Sequence, residues 1–150
     1  MRGESSITKR RRAATPYRRE VNDDKLTEEI IGAAIDVHTS AGPDFAESIY
    51  RDMLRDDLHD RDIECRVEHE IDIERNGKIY GQRRVDLFVE DEVVVELKVL
   101  KQLKSKHLRQ LGANVKLSSG SRGLLLNFGS PRLGIQRFST KEWLRRKTDG

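Results

Sequence analysis

The sequence is poor in the features that mark secreted and membrane proteins. It has one cysteine, Cys65, so no disulfide can form within the chain. It has no apolar run long enough to cross a bilayer, and no apolar segment near the N-terminus like that of a signal peptide. Hydrophobic residues make up only 35% of the 150 residues, which still suffices for one small core. We therefore expect one folded domain in the reducing cytoplasm, with no membrane partner.

Charge is abundant but unevenly distributed. Residues 1–20 carry seven basic and two acidic residues, residues 21–98 carry ten and twenty-two, and residues 99–150 carry twelve and two, within a net charge of +3. Such a division can fold into an acidic cleft beside a basic face, as a metal-dependent enzyme acting on a polyanion requires. The alternative is charge that is merely solvated, and charge alone favours that alternative.

The composition also suggests how the chain is divided. Residues 1–24 have basic clusters and no apolar periodicity, which predicts a flexible basic arm that adds phosphate contacts or is simply solvated. Residues 25–140 are expected to form the folded domain. Residues 141–150 form a basic C-terminal tail whose conformation the sequence leaves open.

Apolar spacing predicts two helices at the start of this domain. The first begins near Leu26, where apolar residues recur three and four apart, and stops at Gly42. The second is expected from Asp44 to about Asp60, with Asp44 as its cap and Glu47 three residues later as the partner in a capping box. One side of this helix would carry the apolar residues Phe45, Ile49, Met53 or Leu54, and Leu58.

The rest of the domain is expected to be mostly strand. Alternating or continuous apolar residues predict three strands at 65–74, 84–89 and 93–100, a helix at 103–115, and two strands at 123–128 and 135–138. The first three strands would form a meander. The order α-α-β-β-β-α-β-β predicts an α/β fold with a mixed β-sheet flanked by helices.

Three charged residues interrupt the apolar second and third strands. Glu96 and Lys98 are two residues apart, so they project from the same face of their strand. Asp86 lies between two apolar residues of the preceding strand. Because an isolated buried carboxylate is costly, these groups must be solvated in a cleft, paired, or bound to a metal.

The length of the loop between these strands decides whether the two acids can meet. A two-residue turn would place Asp86 opposite Leu97 and direct it away from Glu96. A three-residue loop at 90–92 would place Asp86 directly opposite Glu96, with side chains about 5 Å apart at their bases. We therefore predict the three-residue loop if these residues form a site.

Two converging carboxylates beside a lysine form a hard oxygen site suited to Mg²⁺ or Mn²⁺. The ion would polarise a phosphate and lower the pKa of a water molecule, and Lys98 would hold that water. The alternative is a structural cluster of Asp86, Glu96 and Lys98 that binds no metal.

These motifs resemble those of a nuclease superfamily. Asp86 followed by Glu96-Leu97-Lys98 is similar to the PD-(D/E)XK signature of nucleases with the restriction-endonuclease-like fold. More narrowly, the stretch from Leu26 to about Phe138 resembles the GxxExxY proteins, a bacterial family with inferred nuclease activity. The other matching segments are Ile31 to His38, Gly42-Pro43, Glu47 to Tyr50, Gln110-Leu111 and Leu124 to Gly129.

The resemblance implies catalytic roles for the matched residues. Asp86 and Glu96 would bind the metal together with the carbonyl of Leu97, and Lys98 would be the catalytic lysine. Glu47 would be a helical acid that reaches the metal directly or through water. Its alternative role is the capping box described above.

The resemblance also implies residues close to the substrate. Gln110 would be the glutamine of a QxxxY element near the DNA backbone, or else a polar residue on a helix surface. His38 would approach Glu47 or the substrate, or else pack at the end of the first helix. Apart from the resemblance, the Lys and Arg residues of the third helix, Lys104 and Arg109 among them, and those of the C-terminal segment would neutralise phosphates.

The chain departs from the family pattern at three residues. Asp44 replaces the glycine of GxxExxY, Asn114 replaces the tyrosine of QxxxY, and Val85 replaces the proline before the first acid. We expect a nuclease that uses Mg²⁺ or Mn²⁺ and a metal-activated water to cleave nucleic acid, with DNA favoured. The alternative is an inactive module of the same fold that binds nucleic acid or a protein. A homodimer or a protein partner would supply any specificity.

Overall fold

The computed structural model describes residues Asp24 to Asp149. Its helices are α1 (Lys25–Ala41), α2 (Glu47–Asp60), α3 (Ser105–Leu117) and α4 (Lys141–Asp149), and its strands are β1 (Cys65–Arg75), β2 (Lys78–Val89), β3 (Val93–Lys98), β4 (Arg122–Asn127) and β5 (Gly134–Ser139). The predicted order of elements is confirmed, with α4 added where the sequence left the conformation open. The predicted N-terminal arm lies outside the described residues, apart from Asp24.

One five-stranded sheet in the order β1-β2-β3-β4-β5 forms the centre of the domain. Strands β1 to β3 make the predicted antiparallel meander. Strand β4 runs parallel to β3, and β5 returns antiparallel to β4. A parallel pair needs a crossover connection, which α3 supplies between β3 and β4. The prediction of a mixed sheet is therefore confirmed.

Helices cover both faces of this sheet. Helices α1 and α2 bury one apolar cluster against the face that presents Leu87, Val95 and Leu124. Helix α3 buries a second cluster against the opposite face through Leu111 and Val115. The residues of β3 therefore alternate between the two cores, and only the end of the strand is left to face solvent.

Arg61, just after α2, links the first two helices. Its guanidinium pairs with Glu29 and Asp36 of α1 at 3.0 and 2.8 Å, and with Asp57 of α2 at 3.3 Å. The arginine side chain is only 12% exposed, so these bonds are protected from solvent. One guanidinium thus connects carboxylates of both helices, and removing it would leave these half-buried acids without their shared partner.

The start of α2 differs from the sequence-based expectation. Asp44 does not cap the helix, because its φ is 72° and the residue that precedes the helix is Ala46, which makes no side-chain capping bond. The predicted capping box of Asp44 and Glu47 is therefore wrong. The inward side of the helix carries Tyr50, Leu54 and Leu58, whereas the expected core residues Phe45, Ile49 and Met53 are 37–40% exposed.

Two strand boundaries also differ from the expected ones. Strand β2 begins at Lys78 instead of residue 84, because Asn76 and Gly77 both adopt positive φ and close a tight hairpin that extends the pairing with β1. The polar residues of this extension have no apolar alternation, so the sequence pattern missed it. Strand β3 ends at Lys98, two residues earlier than expected.

Helix α4 returns the end of the chain to the beginning of the domain. Arg122 of β4 is 5% exposed and its guanidinium lies 4.7 Å from the centre of the Trp143 ring. The same guanidinium pairs with Asp24 at 2.9 Å and Glu92 at 3.0 Å. The part of the C-terminal tail that the structure describes is thus a helix attached to the sheet. Within residues 24–149, no helix is long and apolar enough to cross a membrane.

Candidate active site

The connection between β2 and β3 has the three-residue form that the site requires. Val89 pairs with Val93 and Leu87 pairs with Val95, leaving residues 90–92 as the loop. Glu90 and Asp91 take φ values of 54° and 56°, which turn the chain within this short loop. The predicted register is confirmed, and it puts Asp86 opposite Glu96.

The ladder between β1 and β2 is interrupted exactly where Asp86 lies. Paired residues pass from Val67–Leu87 to His69–Val85, and Glu68 between them has a φ of 51°. On one side of Asp86 in the chain, Leu87 packs in the core under α1 and α2. On the other side, Val85 packs in the core under α3. The strand therefore changes face at Asp86, although the register of β1 against β2 is the same on both sides of this residue.

The carboxylate of Asp86 takes over a bond that the ladder would otherwise make. The paired residues of β2 and β3 end at Leu87–Val95. Beyond that pair, the backbone N–H of Leu97 donates to Oδ2 of Asp86 at 2.7 Å. This bond fixes the first acid against the strand that carries the second acid and the lysine.

Glu96 is held by two donors inside a half-buried environment. Nδ2 of Asn114 donates to its Oε2 at 2.7 Å, and the backbone N–H of Asp86 also bonds its carboxylate. Burial, followed by the negative charge of Asp86, raises the pKa of Glu96 to about 7. The two hydrogen bonds and the charge of Lys98 oppose this rise without cancelling it.

The pKa of Asp86 is raised as well, chiefly by burial. The N–H of Leu97 and the charges of Lys98 and Arg51 oppose the rise. Arg51 belongs to α2 and also bonds Oε2 of Glu68 at 2.6 Å, next to the break in the ladder. Two half-buried carboxyl groups with raised pKa values thus lie side by side, an arrangement common at functional sites.

Glu47 stands in the first turn of α2 near this pair. Burial raises its pKa, the positive charge of Lys98 lowers it, and the negative charge of Asp86 raises it further. Lys98 is accordingly close enough to interact with all three acids. The structure therefore brings together four of the predicted site residues, Glu47, Asp86, Glu96 and Lys98.

Tyr50 fixes the loop that precedes Glu47. Its hydroxyl donates to the carbonyl oxygen of Gly42 at 2.5 Å and accepts from the backbone N–H of Phe45 at 3.4 Å. Its ring is fully buried and stacks on Phe128 with ring centres 4.7 Å apart. The buried ring therefore anchors the start of α2 in the core.

A cleft of about 390 Å³ opens between the end of β3, β2 and α3. Most of its lining is polar, with Arg83, Arg84, Glu96, Lys98, Gln110 and Asn114 among the lining residues. Gln110 lines the same cleft as Glu96 and Lys98, and its contact with substrate stays a prediction. The other residues predicted to contact substrate lie elsewhere: Lys104 precedes α3, and Arg109 bonds Oγ of Ser105 on the exposed side of that helix.

Arg83, Arg84 and Asn114 were not predicted as site residues. The two arginines belong to the part of β2 that has no apolar alternation, and Asn114 replaces the residue expected in the motif. Two features of the sequence could have indicated these residues. Asn114 follows Gln110 by four residues, which places both on one side of α3. Arg83 and Arg84 form a pair of cations shortly before Asp86.

His107 of α3 also lines this cleft. The backbone N–H of Lys104 donates to its Nδ1 at 2.9 Å, so the neutral ring carries its proton on Nε2. Desolvation and the positive charges of Lys98, Lys106 and Lys104 lower its pKa. A neutral imidazole that donates from Nε2 is therefore available at the rim.

His38 lies apart from this cleft. Its Nε2 is 3.0 Å from the carbonyl oxygen of Ser130, and its ring centre is 6.0 Å from that of Phe128. It lines a separate cavity of about 720 Å³ together with Gly42, Lys101 and Pro131. The observed contacts are those of a residue that packs at the end of a helix, which is the second of its two expected roles.

The donor set of the site fits a divalent cation in part. Within residues 24–149, no three side chains of His, Cys, Asp or Glu are placed to ligate one ion. Asp86 and Glu96 nevertheless form a half-buried pair of like charges, which a cation would stabilise. Mg²⁺ is commonly held by one or two carboxylates, with water and substrate phosphate completing its shell. Glu47 is therefore better placed to act through water.

Comparison with known proteins places the chain in a family. The PD-(D/E)XK nuclease superfamily matches residues 24–138, so the chain belongs to this superfamily, whose members generally use divalent metals. The fold is accordingly the expected restriction-endonuclease-like one. The narrower resemblance to GxxExxY proteins stays a prediction. No curated protein matches the chain.

Two solved structures are similar to the chain. The crystal structure of SSO0001 is 16% identical, with 99% of this chain and 82% of that chain covered and a TM-score of 0.43. An alkaline exonuclease from Laribacter hongkongensis is 10% identical, with 86% and 77% covered and a TM-score of 0.42.

Proposed function

We propose that this protein is a nuclease that hydrolyses phosphodiester bonds of nucleic acid, preferably DNA, with Mg²⁺ or Mn²⁺. The observation that carries the proposal is the convergence of Asp86, Glu96 and Lys98 at one end of β3, in a chain that belongs to a nuclease superfamily. A bound divalent cation polarises a phosphate and lowers the pKa of a water molecule.

The acids of the chain would hold such an ion. Oδ2 of Asp86 accepts from the N–H of Leu97, and Oε2 of Glu96 accepts from the amide of Asn114, while the N–H of Asp86 also bonds the Glu96 carboxylate. These two carboxylates, with the carbonyl of Leu97, are the proposed ligands. Both groups ionise more readily when a cation is present, because a positive charge lowers the pKa values that burial has raised.

Lys98 is the proposed catalytic lysine. It projects from the same face of β3 as Glu96 and interacts electrostatically with Glu47, Asp86 and Glu96. An ammonium group at this position donates to an attacking water or to a phosphate oxygen and stabilises negative charge as it develops. Glu47, which also interacts electrostatically with Lys98, would orient that water.

The rim of the cleft matches a polyanionic substrate. Arg83, Arg84 and His107 surround the acids with donors, and Gln110 adds an amide on α3. Cations around a short acidic centre attract phosphates of the backbone while the acids themselves bind only the ion. Exposed Lys104 and Arg109 extend the basic surface along α3, where they would neutralise phosphates farther from the scissile bond.

The test is a cleavage assay on single-stranded, duplex and branched DNA and on RNA, with Mg²⁺, Mn²⁺ or EDTA. The variants are Asp86→Ala and Lys98→Ala. Their matched controls are Asp56→Ala on the exposed side of α2 and Lys78→Ala at the tip of the β1–β2 hairpin, both far from the cleft in the described structure. We expect metal-dependent cleavage by the wild type and both controls, and none by the two site variants.

Two results would contradict the proposal. Cleavage that survives both Asp86→Ala and Lys98→Ala would show that the activity belongs to another site or to a contaminant. Binding of nucleic acid by a folded wild type that cleaves none of the substrates would instead favour the inactive binding module. Substrates that are cleaved would also identify the class of nucleic acid.

A further inference from the structure

Asn114 of α3 links a cation on one side of the cleft to an acid on the other. Its Nδ2 donates to Oε2 of Glu96 at 2.7 Å, and its Oδ1 accepts from Nη1 of Arg83 at 3.3 Å. The residue is only 6% exposed, so solvent does not readily replace either bond. The three side chains therefore form a continuous chain of donors and acceptors.

The direction of this chain follows from chemistry. An ionised carboxylate only accepts hydrogen bonds and a guanidinium only donates them, so the amide can satisfy both neighbours in one orientation alone. With its NH₂ group toward Glu96 and its oxygen toward Arg83, Asn114 is fixed at both ends. A bond to a charged group is stronger than a neutral one, and both partners carry charge once Glu96 is ionised, as it is when it binds a cation.

Tight packing of α3 on the sheet keeps Asn114 within reach of Glu96. A Cβ atom on Gly123 of β4 would lie 2.7 Å from Cγ2 of Val115 and 2.8 Å from Cδ1 of Leu111. The glycine thus allows the helix to approach closely at the level of Asn114. The position of the amide is determined by the core as well as by its polar partners.

We propose that Asn114, oriented by Arg83, is the positioning residue that holds the carboxylate of Glu96 in place to bind a divalent cation. This role rests on the proposed function, because it presumes that Glu96 is a metal ligand. Since the chain departs from the QxxxY pattern at this residue, the motif assigns it no such role. Outer partners that orient a ligand typically contribute 10- to 100-fold to metal affinity or activity.

The first experiment measures binding of Mn²⁺ to the full chain by titration calorimetry, without nucleic acid. Asn114→Leu removes both hydrogen bonds at nearly constant volume, and Gln136→Leu on exposed β5 is the matched polar-to-leucine control. Glu96→Gln tests the ligand itself. We expect the affinity to fall about 10- to 100-fold in Asn114→Leu, to stay at the wild-type value in Gln136→Leu, and to be lost in Glu96→Gln.

A second variant separates orientation from simple charge. Removing a nearby cation by Arg83→Met should strengthen binding of Mn²⁺ if Arg83 acts only through repulsion. If Arg83 orients Asn114, the same change should weaken binding several-fold in the wild-type background and should not weaken it once Asn114→Leu is present. Arg83 is exposed, so its replacement does not threaten folding, and the cycle measures the coupling directly.

The outcomes distinguish the positioning role of Asn114 from the proposed function on which it rests. If the wild type binds Mn²⁺ and Glu96→Gln does not, but Asn114→Leu and Arg83→Met bind as tightly as the wild type, the positioning role is wrong and the proposed function stands. If Glu96→Gln binds as the wild type does, or the wild type binds no Mn²⁺, Glu96 is not a metal ligand and both ideas fail. Thermal melting of each variant shows whether a loss of affinity merely reflects unfolding.

Discussion

The carboxylate of Asp86 accepts the backbone N–H of Leu97 at 2.7 Å, just beyond the last paired residues of β2 and β3. This bond has a structural and a functional consequence. It extends the contact between β2 and β3 beyond the end of their ladder. It also brings a negative charge next to Glu96, which the fold alone does not need.

The two consequences can be separated by Asp86→Asn. The amide oxygen can still accept from Leu97, but the negative charge beside Glu96 is gone. We expect the metal-free variant to be more stable than the wild type, because it removes both the cost of burying the Asp86 charge and the repulsion between that charge and Glu96. Cleavage should fall about 100-fold or more, since loss of a metal ligand removes several kcal/mol of stabilisation.

Urea denaturation in EDTA at pH 8 and a cleavage assay in Mg²⁺ measure the two effects. Asp56→Asn, whose carboxylate is exposed on α2, is the control and should change neither quantity. An Asp86→Asn variant that cleaves like the wild type would show that the charge of Asp86 has no catalytic role.

The raised pKa of Glu96 predicts a dependence of stability on pH. The pKa is about 7 in the folded chain and near the ordinary 4.5 when unfolded, so between these values the folded state holds more protons. Stability of the metal-free protein should therefore fall as pH rises from about 4.5 to about 7 and level off above that. Asp86 and Glu47, whose pKa values are also raised, contribute in the same direction.

Glu96→Gln checks this prediction, because its side chain stays neutral throughout. The loss of melting temperature between pH 5 and pH 8 in EDTA should be smaller in the variant than in the wild type. Mg²⁺ added at pH 8 should restore part of the loss in the wild type only. Identical pH profiles for the two proteins would mean that Glu96 titrates normally.

The sequence could predict that Asp86 faces Glu96, because successive side chains of a strand point to alternate faces of the sheet. Once a three-residue loop is assumed, the register and the facing pair follow. The exposed acids of β1 could be predicted for the same reason, since alternation alone determines which side they occupy. Local patterns of this kind determine which residues face each other without information from the rest of the fold.

The contacts across elements could not be predicted in the same way. The change of face at Asp86 depends on a left-handed residue, Glu68, in the neighbouring strand, and no sequence pattern marks it. The link from Arg83 through Asn114 to Glu96 joins three elements whose approach depends on packing. The wrong cap at Asp44 and the exposed Ile49 have a local cause, since α2 begins two residues later than the capping signal indicates.

Close packing of α3 on β4 can be tested with Gly123→Ala. The added methyl would lie within 3 Å of Val115 and Leu111, so the helix must shift outward or the side chains must distort. We expect a loss of about 1–3 kcal/mol in the free energy of unfolding, the usual range for overpacked cores. Because Asn114 lies on the displaced helix, affinity for Mn²⁺ should fall too.

Gly81→Ala provides the control for this substitution. Gly81 lies in β2, and a methyl group there would be 3.9 Å from Cδ1 of Ile73, which is an ordinary contact. Urea denaturation should show little change for this variant. If Gly123→Ala were as stable as Gly81→Ala, α3 would have room to move, and its distance from the sheet would not constrain Asn114.

The hydroxyl of Tyr50 is expected to matter through the loop that it holds. Tyr50→Phe keeps the ring stacked on Phe128 but removes the partner of the Gly42 carbonyl and the Phe45 N–H. The free energy of unfolding should fall by about 0.5–1.5 kcal/mol, the usual contribution of such a bond. Because Glu47 follows this loop directly, kcat for cleavage should fall several-fold while KM for nucleic acid changes little.

Tyr80→Phe is the matched control, because Tyr80 is 65% exposed at the tip of the β1–β2 hairpin and its hydroxyl has no such loop to hold. Chemical denaturation and steady-state kinetics of the two variants separate the roles. A Tyr50→Phe variant that loses stability but keeps the wild-type kcat would show that the placement of Glu47 does not depend on this loop. Glu47 would then have to be positioned by α2 alone, through the burial of Leu54 and Leu58 against the sheet.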